Sequence, residues 1–210
     1  MTEPAGQADT PGPAPLWLRA TAAVAAAWAA WWLMMASHEV GHLIATLLTG
    51  GRIDRIDLSP IGFSQTHLTR TPHPAIVVWA GPVFGVLDAL SGWLLARWWA
   101  RSDETIAWMM PAFTFLVGFC LIANGLYIGV GWFDRVGDTG EMLRTGTPVA
   151  AMVAFGVVFT AIGLALWNQL GPWLGVKQLR DGPARALLVA SGVVLVVGFL
   201  VEAGLNRLGL

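Results

Sequence analysis

The stretch LWLRATAAVAAAWAAWWLMMASHEVGHLIATLL, residues Leu16–Leu48, is an apolar run of 33 residues and decides the kind of fold to which the chain belongs. A helix of that length is about 50 Å long, whereas the hydrocarbon core of a bilayer is about 30 Å thick. The helix is therefore expected to tilt, to kink or to begin at the membrane surface. Two placements of the span stay open. Residues 24–48 would carry the polar sequence near the end of the run into the membrane, and the uncharged residues 20–37 would leave it at the far interface.

The composition of the whole chain predicts a polytopic membrane protein. Of the 210 residues, 56% are hydrophobic and only 12% are charged, with 12 tryptophans and a mean hydropathy of +0.64. The expected fold is all-α, with about five transmembrane helices and a short β-hairpin between the first two. The five segments that are long and apolar enough are residues 16–48, 74–99, 106–130, 149–170 and 184–203.

The net charge, the single cysteine and the N-terminal residues each support a further prediction. A net charge of -1, with the 12 basic residues scattered singly, argues against a nucleic-acid surface. The single cysteine, Cys120, cannot form an internal disulfide and is interpreted as a packing residue. Residues 1–15, rich in proline, glycine and alanine, are predicted to be a disordered tail without the basic segment of a signal peptide, so the first span is expected to be retained.

The sequence His38-Glu39-Val40-Gly41-His42 places metal chemistry inside the first apolar run. On a helix, residues four apart project from one face, so His38 and His42 are spaced to share a tetrahedral Zn²⁺ ion. Glu39 lies beside them, within reach of a water molecule on the metal. A carboxylate near the centre of a bilayer costs roughly 2.5 to 3.5 kcal/mol, so its presence there indicates function.

A polar segment, residues 50–74, follows this helix and is predicted to form the hairpin. Two short extended runs flank Ser59-Pro60-Ile61-Gly62, which is a turn signal. The edge of such a hairpin can bind an extended peptide by strand addition, which would suit a protease. His67 and His73 also lie here, but neither has a carboxylate at a metal-site spacing, so both are interpreted as solvated.

A third protein ligand is expected, because catalytic zinc usually has three of them plus a water molecule. The apparent loop after the third apolar segment offers Asp134, Asp138 and Glu141, and the glycines on both sides of Asp138 would let the backbone turn its carboxylate towards the site. Asn124, predicted near the end of the third helix, is a candidate either to orient a ligand or to donate to a developing oxyanion.

The second apolar segment carries Gly81-Pro82 and Gly85, a small-residue face against which another helix can pack closely. Asp88 lies in the same span. An ionisable residue at that depth is a functional candidate by default, and a hydrogen-bond donor on a neighbouring helix is the simpler explanation.

These motifs together resemble the site-2 protease family of intramembrane zinc metalloproteases. The resemblance covers residues 24–141 and rests on the HExxH helix, the hairpin, Gly81-Pro82, and Asn124 followed by an aspartate. It implies that His38, His42 and Asp138 bind one Zn²⁺ and that Glu39 is the general base. The third motif departs from the family pattern, because no proline separates Asn124 from Asp138, so Asp134 stays an alternative.

The resemblance also implies a domain organisation and a partner. Residues 16–145 would form the zinc-protease core and residues 146–210 two further transmembrane helices. The substrate would be a transmembrane protein in the lipid bilayer. Basic residues divide six against six between the two membrane sides, so the positive-inside rule gives no orientation. The resemblance places the active site towards the cytoplasm.

The mechanism expected is peptide hydrolysis, in which zinc acidifies a water molecule and Glu39 accepts its proton. Three other functions stay open. One is a gluzincin-type membrane protease with Glu141 or Glu104 as the third ligand. The second is an inactive relative that serves as a binding or chaperone module. The third and weakest is transport, for which only Asp88 would mark an ion path.

Overall fold

The computed structural model describes residues 12–170 and 179–209. The described chain contains one two-stranded antiparallel sheet, β1 (Arg52–Asp57) and β2 (Gln65–Arg70), which lies between the first two helices. The helices are α1 (Leu16–Leu48), α2 (Pro74–Trp99), α3 (Glu104–Gly131), α4 (Gly137–Arg144), α5 (Val149–Leu170) and α6 (Asp181–Leu208). All but α4 are long and apolar enough to cross a membrane, which confirms the predicted fold class.

The long helices pack in a fixed order. α1 lies between α2 and α6, and α3 lies between α2 and α5. α3 and α5 approach each other closely, because glycines face each other there: a Cβ on Gly129 would stand 2.8 Å from the Cα of Gly156. α1, α2 and α3 therefore form the central group, and α5 and α6 flank it.

The hairpin runs back along α1 and is attached to it at both ends. At its base, the amide of Gly51 donates to the carbonyl of Thr46 (2.8 Å). At its tip, the indole of Trp28 donates to the carbonyl of Pro60 (2.6 Å). These two points lie on either side of the His38–His42 turn of α1, so the hairpin covers that turn.

The chain between Gly137 and Arg144 differs from the sequence-based expectation of a loop, because it forms the short helix α4. Gly137 has a φ of +59°, which glycine adopts without strain, and the chain turns there into the helix. Met142, with 0% of its surface exposed, packs with Ile128 and Met152. Burial of Met142 and the hydrogen bond from the hydroxyl of Thr139 to the carbonyl of Gly131 (2.9 Å) hold α4 against α3.

The start of α1 packs against the start of α6. Residues 1–11 of the expected tail and residues 171–178, between α5 and α6, lie outside the described residues. The last part of the tail is packed: Ala14 is 3% exposed and its amide donates to the carbonyl of Leu179 (2.9 Å). Ala14 and Leu18 contact Ala184, so the start of α1 is joined to the start of α6.

Candidate active site

His38 and His42 lie on the buried face of α1, with 4% and 7% of their surfaces exposed. Their Nε2 atoms are 3.1 Å apart. The Nδ1–H of His42 donates to the carbonyl of Val77 (2.8 Å), which can only accept. The Nδ1–H of His38 donates to Oδ1 of Asn124 (2.8 Å). Both rings are therefore fixed with their Nε2 lone pairs directed into the same space, as in metal-binding histidine pairs.

The orientation of the Asn124 amide is determined by a second contact. Its Nδ2 donates to the carbonyl of Cys120 (3.0 Å), so Oδ1 is the atom that faces His38. Asn124 is 0% exposed and lies inside α3, a full two turns before the helix ends at Gly131. This geometry supports the first of the two predicted roles of Asn124, the orientation of a ligand, here His38.

Asp138, in the first turn of α4, completes the cluster. Its Oδ2 is 2.7 Å from Nε2 of His38 and its Oδ1 is 3.3 Å from Nε2 of His42. Burial alone would raise the pKa of Asp138, but hydrogen bonds and charges from the two imidazoles, in their protonated form, lower it overall to well below the usual range. The carboxylate therefore keeps its negative charge beside the two rings.

The donor set fits a zinc ion. Two donors of a tetrahedral Zn²⁺ site stand about 3.3 Å apart, given bond lengths of about 2.0 to 2.2 Å. The separations here are 3.1, 2.7 and 3.3 Å. Two imidazole lone pairs and a carboxylate that converge in this way repel one another unless a proton or a cation lies among them. Three protein donors would leave the fourth position of a tetrahedral ion to a water molecule, as in catalytic zinc sites.

Gly81 of α2 provides the space for this cluster. A Cβ at this position would stand 2.3 Å from Nε2 of His42 and 2.7 Å from Nε2 of His38. One turn further along α2, a Cβ on Gly85 would be 3.2 Å from Nδ2 of Asn124. The small-residue face that the sequence predicts thus lies against the two histidines and the residue that orients His38.

Glu39 is 6% exposed and lies beside the histidines. Donor atoms of His38, Glu39 and His42 all lie within 4.8 Å of one another, so Glu39 is itself near enough to be considered as a ligand. Asp138 lies closer to both Nε2 atoms than that limit, while Oε2 of Glu39 accepts a hydrogen bond from Thr66 of β2 (2.7 Å). We therefore regard Asp138 as the better-placed third ligand.

The comparison with protein families agrees with this arrangement. The model of the Peptidase M50B-like family, which is the site-2 protease family of intramembrane metalloproteases, matches residues 13–137. The chain belongs to this family. No curated protein and no solved structure matches the chain. The site-2 protease family is zinc-dependent, and this member has a His-Glu-His cluster that can bind a metal and five helices able to span a membrane. The matched region ends directly before Asp138, so the place of Asp138 rests on its geometry.

The other acidic residues considered as a third ligand do not contact the two histidines. Asp134 is on the exposed turn after α3, and among the described residues its carboxylate makes no hydrogen bond or ion pair with a histidine. Glu141 faces outward and pairs with Arg144. Glu104 begins α3, twenty residues or about 30 Å of helix before Asn124.

The two histidines of the hairpin segment, His67 and His73, lie outside the cluster. Nε2 of His67 lies 2.8 Å from Oδ2 of Asp57, a partner that strand pairing supplies and linear spacing does not reveal. This pair also contacts Arg55, which makes it unsuitable for a cation. His73 precedes α2, and its side chain does not cap that helix.

Asp88 of α2 accepts a hydrogen bond from the hydroxyl of Ser37 in α1 (3.1 Å). This is the kind of donor on a neighbouring helix that the sequence analysis gives as the simpler explanation of Asp88.

Three groups at the site were not found from the sequence: Thr66, the carbonyl of Val77 and Tyr127. The hydroxyl of Tyr127 accepts a hydrogen bond from the amide of Asp138 (3.1 Å), and its ring packs edge-on against that of His38. Tyr127 is the one tyrosine of the chain and lies three residues after Asn124 on α3. That spacing places both on the same side of the helix, a signal that could have identified it.

Proposed function

We propose that this protein is an intramembrane zinc metalloprotease that cleaves peptide bonds of membrane-embedded or membrane-adjacent proteins. His38, His42 and Asp138 would hold one Zn²⁺, and Glu39 would be the general base. The observation that carries the proposal is the fixed orientation of the two imidazoles, whose Nδ1–H groups are engaged by Asn124 and Val77 so that both Nε2 atoms face Asp138.

Zinc, when bound, would polarise the scissile carbonyl and acidify a water molecule. Glu39 is not needed as a ligand in this arrangement, because the other three side chains supply the donors. Its Oε2 is occupied by Thr66, which leaves Oε1 to accept the proton and then to return it to the leaving amine. His38, Glu39 and His42 are buried, whereas the Asp138 side chain is 22% exposed, so the water that the reaction consumes would enter from the side of Asp138.

Presentation of the substrate would use the hairpin. β1 contacts α6 as well as α1. The outer edge of β2, on the other side of the hairpin, is therefore the edge that we propose for an extended peptide, which would pair with it through main-chain hydrogen bonds. Because Thr66 of β2 touches Glu39, a strand bound at this edge would run close to the base. A transmembrane substrate would have to unwind locally to bind in this way.

The decisive experiment is Glu39→Gln in the full chain, reconstituted in liposomes with a tagged library of single-span transmembrane peptides. Zinc content by metal analysis should match that of the unmodified protein, while cleavage measured by mass spectrometry should be lost. Glu202→Gln, in α6, is the matched control and should cleave normally. Cleavage retained by Glu39→Gln would disprove the mechanism.

A further inference from the structure

The carboxylate of the proposed base is held by a side chain from the hairpin. Oγ1 of Thr66 donates to Oε2 of Glu39 at 2.7 Å, across 27 residues of sequence. Among the described residues, this is the one hydrogen bond that the Glu39 side chain makes. We infer that Thr66 is a positioning residue of the reaction, and that the hairpin helps to build the active site as well as to receive a substrate. This inference rests on the proposed function.

The strand register directs Thr66 towards α1. Thr66 pairs with Ile56, and its neighbours in β2, Gln65 and His67, pair with Asp57 and Arg55. Side chains alternate between the two faces of a strand. The charged group of Asp57, His67 and Arg55 therefore lies on the outer face, and the Thr66 hydroxyl lies on the inner face, against Glu39. A slip of one residue would remove this hydroxyl from the site.

The hairpin is attached to α1 on both sides of Glu39, so the hydroxyl has a defined place. Trp28, eleven residues before Glu39, binds the carbonyl of Pro60 at the tip. Thr46, seven residues after Glu39, accepts from the amide of Gly51 at the base. β1, which lies between these attachments, cannot shift along α1 without breaking one of them, and β2 is held in register by its pairing with β1.

The chemical consequence concerns the geometry of the carboxylate. A hydrogen bond from a hydroxyl to one oxygen selects one rotamer of a side chain that would otherwise sample several. With Oε2 engaged, Oε1 is presented to the reacting water. A base must lie within hydrogen-bond distance of the proton that it accepts, so loss of this restraint should lower turnover while substrate binding is kept.

The chain offers a well-matched set of variants. Thr66→Val keeps the shape and removes the hydroxyl, and Thr66→Ser restores it. Thr69→Val makes the same change on the same strand, at an exposed residue whose hydroxyl reaches only the carbonyl of Arg52 at 3.5 Å. With a peptide that the unmodified protein cleaves in liposomes, Thr66→Val should lower kcat about 10-fold or more, as part of the 10²- to 10⁴-fold that a general base contributes. KM and zinc content should not change.

The expected control results are a kcat within about threefold of the unmodified value for Thr66→Ser and an unchanged kcat for Thr69→Val. A kcat for Thr66→Val within twofold of the unmodified value would overturn the inference. So would a Thr66→Ser variant as slow as Thr66→Val, because it would assign the loss to packing.

A second measurement does not depend on cleavage. In the metal-free protein, the decreases in Tm caused by Thr66→Val and Glu39→Ala should be non-additive, with the double variant losing clearly less than the sum of the two single variants. Thr69→Val combined with Glu39→Ala should be additive. Additive decreases for Thr66 and Glu39 would contradict the inference. If the proposed function failed, the unmodified protein would not cleave the peptides or Glu39→Gln would still cleave them, whereas this Tm cycle would report on the contact alone.

Discussion

Oδ1 of Asn124 lies 2.8 Å from Nδ1 of His38, a contact between α3 and α1 that is wholly buried and spans 86 residues of sequence. An acceptor at this position selects the tautomer whose free lone pair is on Nε2 and holds the plane of the ring. It links the packing of the central helices to the metal cluster, because the same amide donates to the carbonyl of Cys120 within α3.

Replacement of Asn124 should therefore weaken metal binding without removing a ligand. Asn124→Leu should lower zinc affinity about 10- to 100-fold, the range typical of losing an outer hydrogen bond to a ligating histidine. Asn124→Asp keeps an acceptor for His38 and should retain more affinity than Asn124→Leu. Competition with a chelator measures both, and Asn168→Leu, at an exposed position of α5, is the control. Equal affinities for all three variants would contradict the orienting role.

Gly81 is expected to be intolerant of any side chain. Gly81→Ala would place a Cβ 2.3 Å from Nε2 of His42, on the atom that faces the metal. Zinc binding should fall about tenfold or more, because the ring must move out of position to make room. Gly92→Ala, on the same helix with no atom within 4 Å of its Cβ, should bind zinc normally. Metal content after dialysis distinguishes the two variants, and normal zinc content in Gly81→Ala would be inconsistent with the cluster described.

The parts of the site that sequence reasoning predicted are those encoded locally. His38 and His42 share a face because four residues are about one turn of helix, and Gly81 and Gly85 share a face for the same reason. The choice between Asp138 and Asp134 needed tertiary information. It depends on the turn at Gly137 and on the burial of Met142, which together place α4. At eight residues, α4 is too short to show a clear helical period.

Thr66 was missed for a different physical reason. A hairpin between two polar runs is predictable from its turn residues, but which side chain faces α1 depends on the register. That register is fixed by distant contacts such as the one between Trp28 and Pro60, for which neither residue carries a local signal. The same limit applies to the pair of His67 and Asp57, since strand pairing alone brings them together.

The outer face of the hairpin should respond to acid. Burial alone would raise the pKa of Asp57, but hydrogen bonds and charges from His67 and Arg55 lower it overall. A lowered pKa means that the carboxylate stabilises the hairpin above its unfolded pKa of about 3.9 and that this stabilisation is lost as the pH falls through the folded value. The effect should stay below about 1 kcal/mol, because the side chains are about a third exposed or more.

Hydrogen exchange measures this pH dependence directly. Corrected for intrinsic exchange rates, the amides of β1 and β2 should be less protected at pH 3 than at pH 5. Asp57→Asn should remove the difference between the two pH values. Protection that falls equally in the variant and in the unmodified protein would assign the effect to other carboxyl groups.

The third zinc ligand provides the sharpest separation among the acidic residues. Asp138 contacts both Nε2 atoms, whereas Asp134 lies on an exposed turn and Glu141 pairs with Arg144. Asp138→Asn should lower zinc affinity by more than the 10- to 100-fold typical of losing an outer hydrogen bond, because a charged ligand is lost. Asp134→Asn and Glu141→Gln should bind zinc like the unmodified protein. Zinc loss confined to Glu141→Gln would instead support a gluzincin-type site. Zinc loss in Asp134→Asn alone would require α4 to lie in a different position, because Asp138 is the aspartate whose carboxylate contacts both Nε2 atoms.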